Sequence, residues 1–172
     1  MISKYRPGEK IKSFLYLFVL AALIWLALTS SFNLQEVITG ISISFILSLL
    51  LSSRYLELKL PPVSFKRIAF SIIYIIILFK EIIVANFDVA YRVVHPKMPI
   101  KPGIVIIKTE LKSNIAKMIL ANSITLTPGT FTLDINDDTL LIHWINVRTE
   151  NIDEATKAIG ERFEKYLRVI FA

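Results

Sequence analysis

The chain has no cysteine among its 172 residues. That excludes a disulfide framework, thiolate metal ligation, an iron-sulfur cluster held by this chain and a cysteine nucleophile. With only two histidines, His95 and His143, a histidine-based metal site has little to build on. No G-x-x-x-x-G-K-[ST], G-x-G-x-x-G or G-x-S-x-G pattern occurs, so nucleotide binding and acyl-transfer chemistry lack support. Asp134, Asp137 and Asp138 are three acids in a short stretch, but they lack the spacing and distal glutamate of an EF-hand loop and read as a hairpin turn. No catalytic residue, metal ligand or cofactor is expected.

What is abundant is apolar surface: 54% of residues are hydrophobic and the mean hydropathy is +0.59, which suits a chain with much of its surface in lipid. The formal charge of +6 fits basic loops on the cytoplasmic side of a membrane, not nucleic acid, because the aromatics mostly lie inside apolar stretches.

Phe14 to Ser30 carries no charge, and with Ile11 and Phe32 it approaches the ~20 residues that cross a hydrocarbon core. A span over about 12–31 is predicted. A cleaved leader is the competing reading, since Lys4, Arg6, Lys10 and Lys12 supply a basic start. It loses because a leader core is ~7–15 residues and no small-residue cleavage pattern follows at Phe32-Asn33-Leu34. Val37 to Ser53 is a second uncharged stretch, predicting a span over about 36–53 and an antiparallel hairpin around Asn33–Glu36. That loop has no Lys or Arg, whereas the N-terminus and the segment with Arg54, Lys59, Lys66 and Arg67 are basic, so both flanks are placed in the cytoplasm. Gly40, Ser42, Ser44 and Ser48 are small residues suited to close helix packing.

Pro61-Pro62 breaks the chain before a long helical pattern over 66–94. Projected at 100° per residue, Lys66, Lys80, Glu81, Asp88 and Arg92 fall on one side, with Tyr74 and Tyr91 among them. A charge at the centre of a spanning helix costs ~2.5–3.5 kcal/mol. Two placements follow, a helix lying at the cytoplasmic interface or a third span with its polar side against partner subunits. The first agrees with the loop charges and is preferred. Lys80-Glu81 as a proton or cation relay is the sharper alternative, set against a docking pair; a relay needs a chain of ionisable groups, which the first two spans do not offer.

After His95-Pro96 the composition changes and a soluble part over 95–172 is predicted. Strands are expected at Ile104–Thr109, Thr130–Ile135 and Leu140–Val147. Helices are expected from Ser113, a candidate N-cap, to about Ile124 and from Asn151 to Val169, capped by Asn151 or Asp153. The fold class is thus an α-helical membrane hairpin plus a long amphipathic helix, followed by a small α+β (β-α-β-β-α) cytoplasmic domain. His143 lies in an alternating strand and reads as a hydrogen-bonded strand histidine in preference to a proton switch. Ser123 to Thr130, SITLTPGT, is the most unusual stretch: a helix running into a hydroxyl-rich Pro-Gly type II turn. With no Lys or Arg in it, it is read as satisfying helix-end carbonyls locally, not as an anion site.

Leu120 to Ile135, LANSITLTPGTFTLDI, resembles the signature of the E-type component of Mrp-type multi-subunit Na+/H+ antiporters. The likeness continues in Phe79-Lys80-Glu81, Ala85-Asn86, Pro102-Gly103-Ile104, Ile142-His143 and the closing amphipathic helix, and covers all but about the first ten residues. It implies a non-catalytic accessory subunit, multi-pass in the prokaryotic cell membrane, whose partners are the bilayer and other antiporter-complex subunits. Similar subunits occur in the antiporter module of membrane-bound hydrogenase and sulfur-reducing complexes of archaea. Hydrogenase-like or sulfur-reductase subunits are therefore the alternative partners. Lys80, Glu81, Asn86, Asn122, Thr125, Thr127, Pro128, Gly129, Thr130 and His143 are the motif residues and the candidate subunit contacts.

Overall fold

A computed structural model describes residues 7–58 and 64–172 of the chain. Lys4, Arg6, Lys59 and the Pro61-Pro62 break lie outside the described residues. Two compact units emerge, Met1–Leu60 and Pro61–Ala172.

The first unit is a helix pair, α1 (Pro7–Thr29) and α2 (Leu34–Glu57). Every fourth residue along one face of α2, Gly40, Ser44, Ser48 and Ser52, is buried. Without bulky side chains on that stripe the α1 surface can come close. The Ser13 hydroxyl donates to the Ser52 carbonyl at 2.9 Å and the Trp25 indole N–H donates to the Glu36 carbonyl at 3.1 Å, so the helices run antiparallel. The Trp25 ring covers Gly40, where a Cβ would overlap it. Of the small residues expected at this seam, Ser42 is the exception: it is exposed and donates within its own helix to Ile38. Elsewhere the two helices present exposed Leu, Ile, Val and Phe. Both are long and apolar enough to cross a bilayer.

The second unit joins a third long apolar helix, α3 (Phe65–Val94), to an α/β layer in the order β1 (Gly103–Lys108), α4 (Asn114–Leu126), β2 (Thr130–Asn136), β3 (Thr139–Trp144), α5 (Ile152–Ile159) and α6 (Glu161–Ile170). Ser64 caps α3 by accepting from the Arg67 amide at 3.3 Å, and His95, extended as a residue before proline tends to be, ends it. The sheet is antiparallel with β3 in the centre, in the order β1-β3-β2. Asp137, with φ of 48°, makes the tight connection between β2 and β3. Val105, Ile107, Leu140 and Ile142 project inward from the sheet and pack with Leu120, Ile124, Ile159, Phe163 and Leu167 in one core.

Three details differ from the sequence reading. The closing helix is two segments that bend at Gly160, whose Cα lies so near Ile107 that an added Cβ would sit 3.3 Å from the Ile107 Cδ1. The bend lets α5 pack on β1 while α6 turns to α3. Ser113 occupies the N-cap position of α4 without a side-chain capping bond, whereas the Asn151 side chain caps α5 by accepting from the Asp153 and Glu154 amides. The contacts also join α3 to the α/β layer, placing the division between compact units thirty-four residues before His95. Tyr74 of α3 is a buried member of that core, edge-on to Phe163 with ring centroids 6.5 Å apart.

Candidate functional site

Helix α3 meets the α/β layer along a polar seam, and most of the hydroxyl-rich motif lies there. A groove of about 260 Å³ is lined by Glu81, Asp88 and Arg92 from α3, by Thr127-Pro128-Gly129-Thr130, and by Arg148 and Arg162. Each α3 residue on this side is separated from the next by a spacing that stacks side chains on one helical face, Asp88 and Arg92 one turn apart and Glu81 two turns before Asp88.

The carboxylate of Glu81, with its side chain 17% exposed, accepts from the Arg162 guanidinium at 2.6 Å. Asp88 accepts from Arg92 at 2.8 and 3.0 Å, a two-pronged pairing, and a third Arg92 nitrogen donates to the Pro99 carbonyl at 2.6 Å. Both acids of the seam are thereby held by arginines. Planar two-pronged pairing fixes position as well as charge. Toward the start of α3 the Tyr74 hydroxyl is hydrogen-bonded to the Ser123 hydroxyl, and Arg67 donates to the Ala172 carbonyl at 2.6 Å.

The Thr127–Thr130 segment is a type II turn, with the Thr130 amide donating to the Thr127 carbonyl at 3.3 Å and Gly129 at φ of 93°. Both threonine hydroxyls donate at 2.7 Å to the Ile124 carbonyl at the end of α4. This is the local satisfaction of helix-end carbonyls that the hydroxyls and the Pro-Gly pair suggest. The positive φ at 129 favours glycine, and a Cβ there would also press on Ile145 at 3.0 Å while meeting Val89 of α3 at an ordinary 3.5 Å.

The remaining motif residues are scattered. Lys80 does not share the seam with Glu81: one residue on, a helix turns by about 100°, and Lys80 is exposed on another side of α3. The Asn86 amide donates to Ile82 in its own helix at 2.8 Å. Asn122 and Thr125 are exposed on α4 beside β2, where the Thr125 hydroxyl accepts from the Thr132 amide at 3.1 Å. His143 is exposed on β3, paired across the sheet with Ile104 and Phe131.

Arg162, the partner of Glu81, does not stand out in the sequence. Its signal is faint, a basic residue one turn before Tyr166 in an amphipathic helix, and its partner lies 81 positions away. Glu164 is equally inconspicuous there, yet it is 2% exposed, accepting from the Glu110 amide at 2.7 Å and paired with Arg168 at 3.1 Å. Among the described residues no three His, Asp or Glu side chains cluster to hold a metal ion.

A family model described as Na+/H+ ion antiporter subunit matches residues 18–170, nearly the whole chain. The chain belongs to this family. Its relatives are E-type members of such antiporters. The E-type Na(+)/H(+) antiporter component of Alkalihalophilus pseudofirmus is 34% identical over 84% of this chain and 89% of its own length. The E1-type component of the Staphylococcus epidermidis antiporter is 36% identical over 88% of this chain and 93% of its own. Among solved structures, a chain of the membrane-bound sulfane sulfur reductase, an archaeal respiratory membrane complex, is 47% identical, covers 92% of this chain and 99% of its own, and superposes with a TM-score of 0.81. With its long apolar helices, this E-type subunit is a multi-pass cell-membrane protein.

Proposed function

We propose that this E-type subunit is a non-catalytic accessory component that helps assemble a cation/proton antiporter complex and carries no ion-translocating group of its own. The pairing of Glu81 with Arg162, and of Asp88 with Arg92, carries the reading. A proton relay needs a connected series of free carboxyls, whereas here each acid of the seam is fixed in place against an arginine, Glu81 at 2.6 Å and Asp88 at 2.8 Å. In this reading the seam holds α3 in one orientation, and the motif residues around it present a shaped, rigid surface to neighbouring subunits.

The arrangement we propose is a spanning hairpin, α1 and α2, followed by α3 lying at the cytoplasmic interface beneath the β-α-β-β-α layer. The side of α3 turned to that layer runs from Arg67, which donates to the Ala172 carbonyl just past α6, to Arg92 in the shared groove. At 1.5 Å per residue this is about 37 Å, more than the ~30 Å of hydrocarbon. A spanning α3 would drag a layer bearing the charged side chains Glu110, Lys157 and Arg168 into lipid, where such a charge costs roughly 2.5–3.5 kcal/mol at the hydrocarbon centre. Lying flat, the helix keeps that layer in water.

A second reading concerns the host. Identity of 47% to a chain of the sulfane sulfur reductase, against 34% and 36% to the two antiporter relatives, favours membership of the antiporter module of a redox-driven respiratory complex. Purification of the tagged chain from its native host in mild detergent, with mass spectrometry of what accompanies it, tests both. Antiporter-like subunits are expected. Hydrogenase-like or sulfur-reductase subunits beside them decide for the second host, and recovery of the chain alone contradicts the accessory role.

A further inference from the structure

The outward side of α3 has its own pattern. Ile72, Ile76, Phe79, Ile83 and Phe87 are all exposed and fall within about 80° of one another around the helix, directly opposite Tyr74, Leu78, Glu81, Asp88 and Arg92. Lys80 comes next, about 20° beyond Phe87 on one flank of this strip, where the exposed Ile73 and Val84 and, further toward the start of the helix, Lys66 also lie. No acid shares that flank: Glu81 and Asp88 are turned to the seam and held there by Arg162 and Arg92.

We propose that this face of α3 is seated in the cytoplasmic lipid leaflet and that Lys80, with Lys66, takes the phosphate groups of anionic phospholipids. The inference rests on the interfacial placement of α3 and adds to it the lipid chemistry. The argument is one of shape and charge together. A strip of large apolar side chains wants hydrocarbon, while a lysine at its edge buries its four-carbon stem and lifts its ammonium to the headgroups. A protein groove would instead have to supply a carboxylate opposite Lys80, beside a continuous apolar strip.

The absence of cysteine makes single spin labels straightforward to place. The full chain is reconstituted in nanodiscs with Ile72→Cys, Ile76→Cys, Ile83→Cys or Phe87→Cys, and the depth of each label is measured from its accessibility to oxygen and to a water-soluble nickel complex. In parallel, native mass spectrometry compares retention of phosphatidylglycerol and phosphatidylcholine by the unaltered chain, by Lys80→Gln and by Lys157→Gln, an exposed lysine on α5. The proposal expects four labels at one shallow depth and a preference for phosphatidylglycerol that falls about fivefold in Lys80→Gln alone, the size expected for one basic residue at an anionic surface. Equal depths with a preference that Lys80→Gln leaves unchanged, or that Lys157→Gln lowers equally, overturn the lipid assignment and leave the interfacial placement standing. Depths graded from one leaflet to the other overturn the placement and the lipid assignment together. Labels that lose oxygen access when the whole complex is reconstituted assign the face to a partner subunit and overturn the proposal.

Discussion

The two units of this protein solve the problem of cohesion with opposite materials. In α1 and α2 the contact is made by the smallest side chains, Gly40, Ser44, Ser48 and Ser52, while the large apolar ones face outward. In the unit from α3 to α6 the contact is made by bulky side chains, with Phe163, Leu120, Ile142 and Leu167 fully buried. Where lipid surrounds a helix, burying leucine against leucine gains little, and close backbone approach with a few hydrogen bonds holds the pair. Where water surrounds a layer, expulsion of apolar surface supplies the stability, at roughly 25 cal/mol per Å². Helix α3 shares both logics, with Tyr74 in the core on one side and Ile76 and Ile83 bare on the other.

The sharpest way to break this contrast is to remove bulk from the second unit. Phe163→Ala should cost ~3–5 kcal/mol, as deletion of a fully buried aromatic does, and should loosen α3 through the lost Tyr74 contact. Thermal unfolding followed by circular dichroism, with proteolysis sites mapped near α3, would read both effects. The converse change adds bulk to the first unit: Gly40→Ala drives a Cβ into the Trp25 ring and should cost ~1–3 kcal/mol through overpacking. Denaturation in detergent would measure it. If Gly40→Ala were neutral while Ser44→Leu were also tolerated, close packing would not be what joins α1 to α2.

Gly129→Val tests the turn at the seam. A β-branched residue at φ of 93° beside Ile145 should cost ~1–3 kcal/mol, and Gly129→Asn should cost less because asparagine tolerates that conformation. An unchanged melting temperature for the valine variant would contradict the requirement for positive φ. The smallest effect is expected for the ion pair. Glu81 and Arg162 are partly exposed, so screening holds the pair's coupling to ~1 kcal/mol or less in a double-mutant cycle with Glu81→Gln and Arg162→Gln.

Local elements are readable in the sequence. Uncharged runs mark α1 and α2, alternation marks β2 and β3, and Thr127-Pro128-Gly129-Thr130 carries its turn type in the order of its residues. Long-range pairing is not readable in the same way. Lys80 and Glu81 are neighbours in sequence and look like a pair, yet helical rotation separates them and Glu81 finds Arg162 instead. The projection that groups Lys80 with Glu81, Asp88 and Arg92 is too coarse by one helical flank. The bend at Gly160 escapes because glycine inside a helical pattern signals only cost, and its close approach to Ile107 appears only in the folded chain. That Tyr74 belongs to the α/β core is hidden for a related reason: an apolar helix reads the same whether its cover is lipid, a partner or its own domain.

The central claim is that the Glu81–Arg162 seam supports assembly and does not move ions. The most direct measurement is cation/proton exchange in vesicles carrying the complex with Glu81→Ala, divided by the amount of intact complex recovered from the same vesicles. The account predicts less intact complex and an unchanged exchange rate per complex. A complex recovered in full amount with exchange lost would contradict it and make Glu81 part of the ion path.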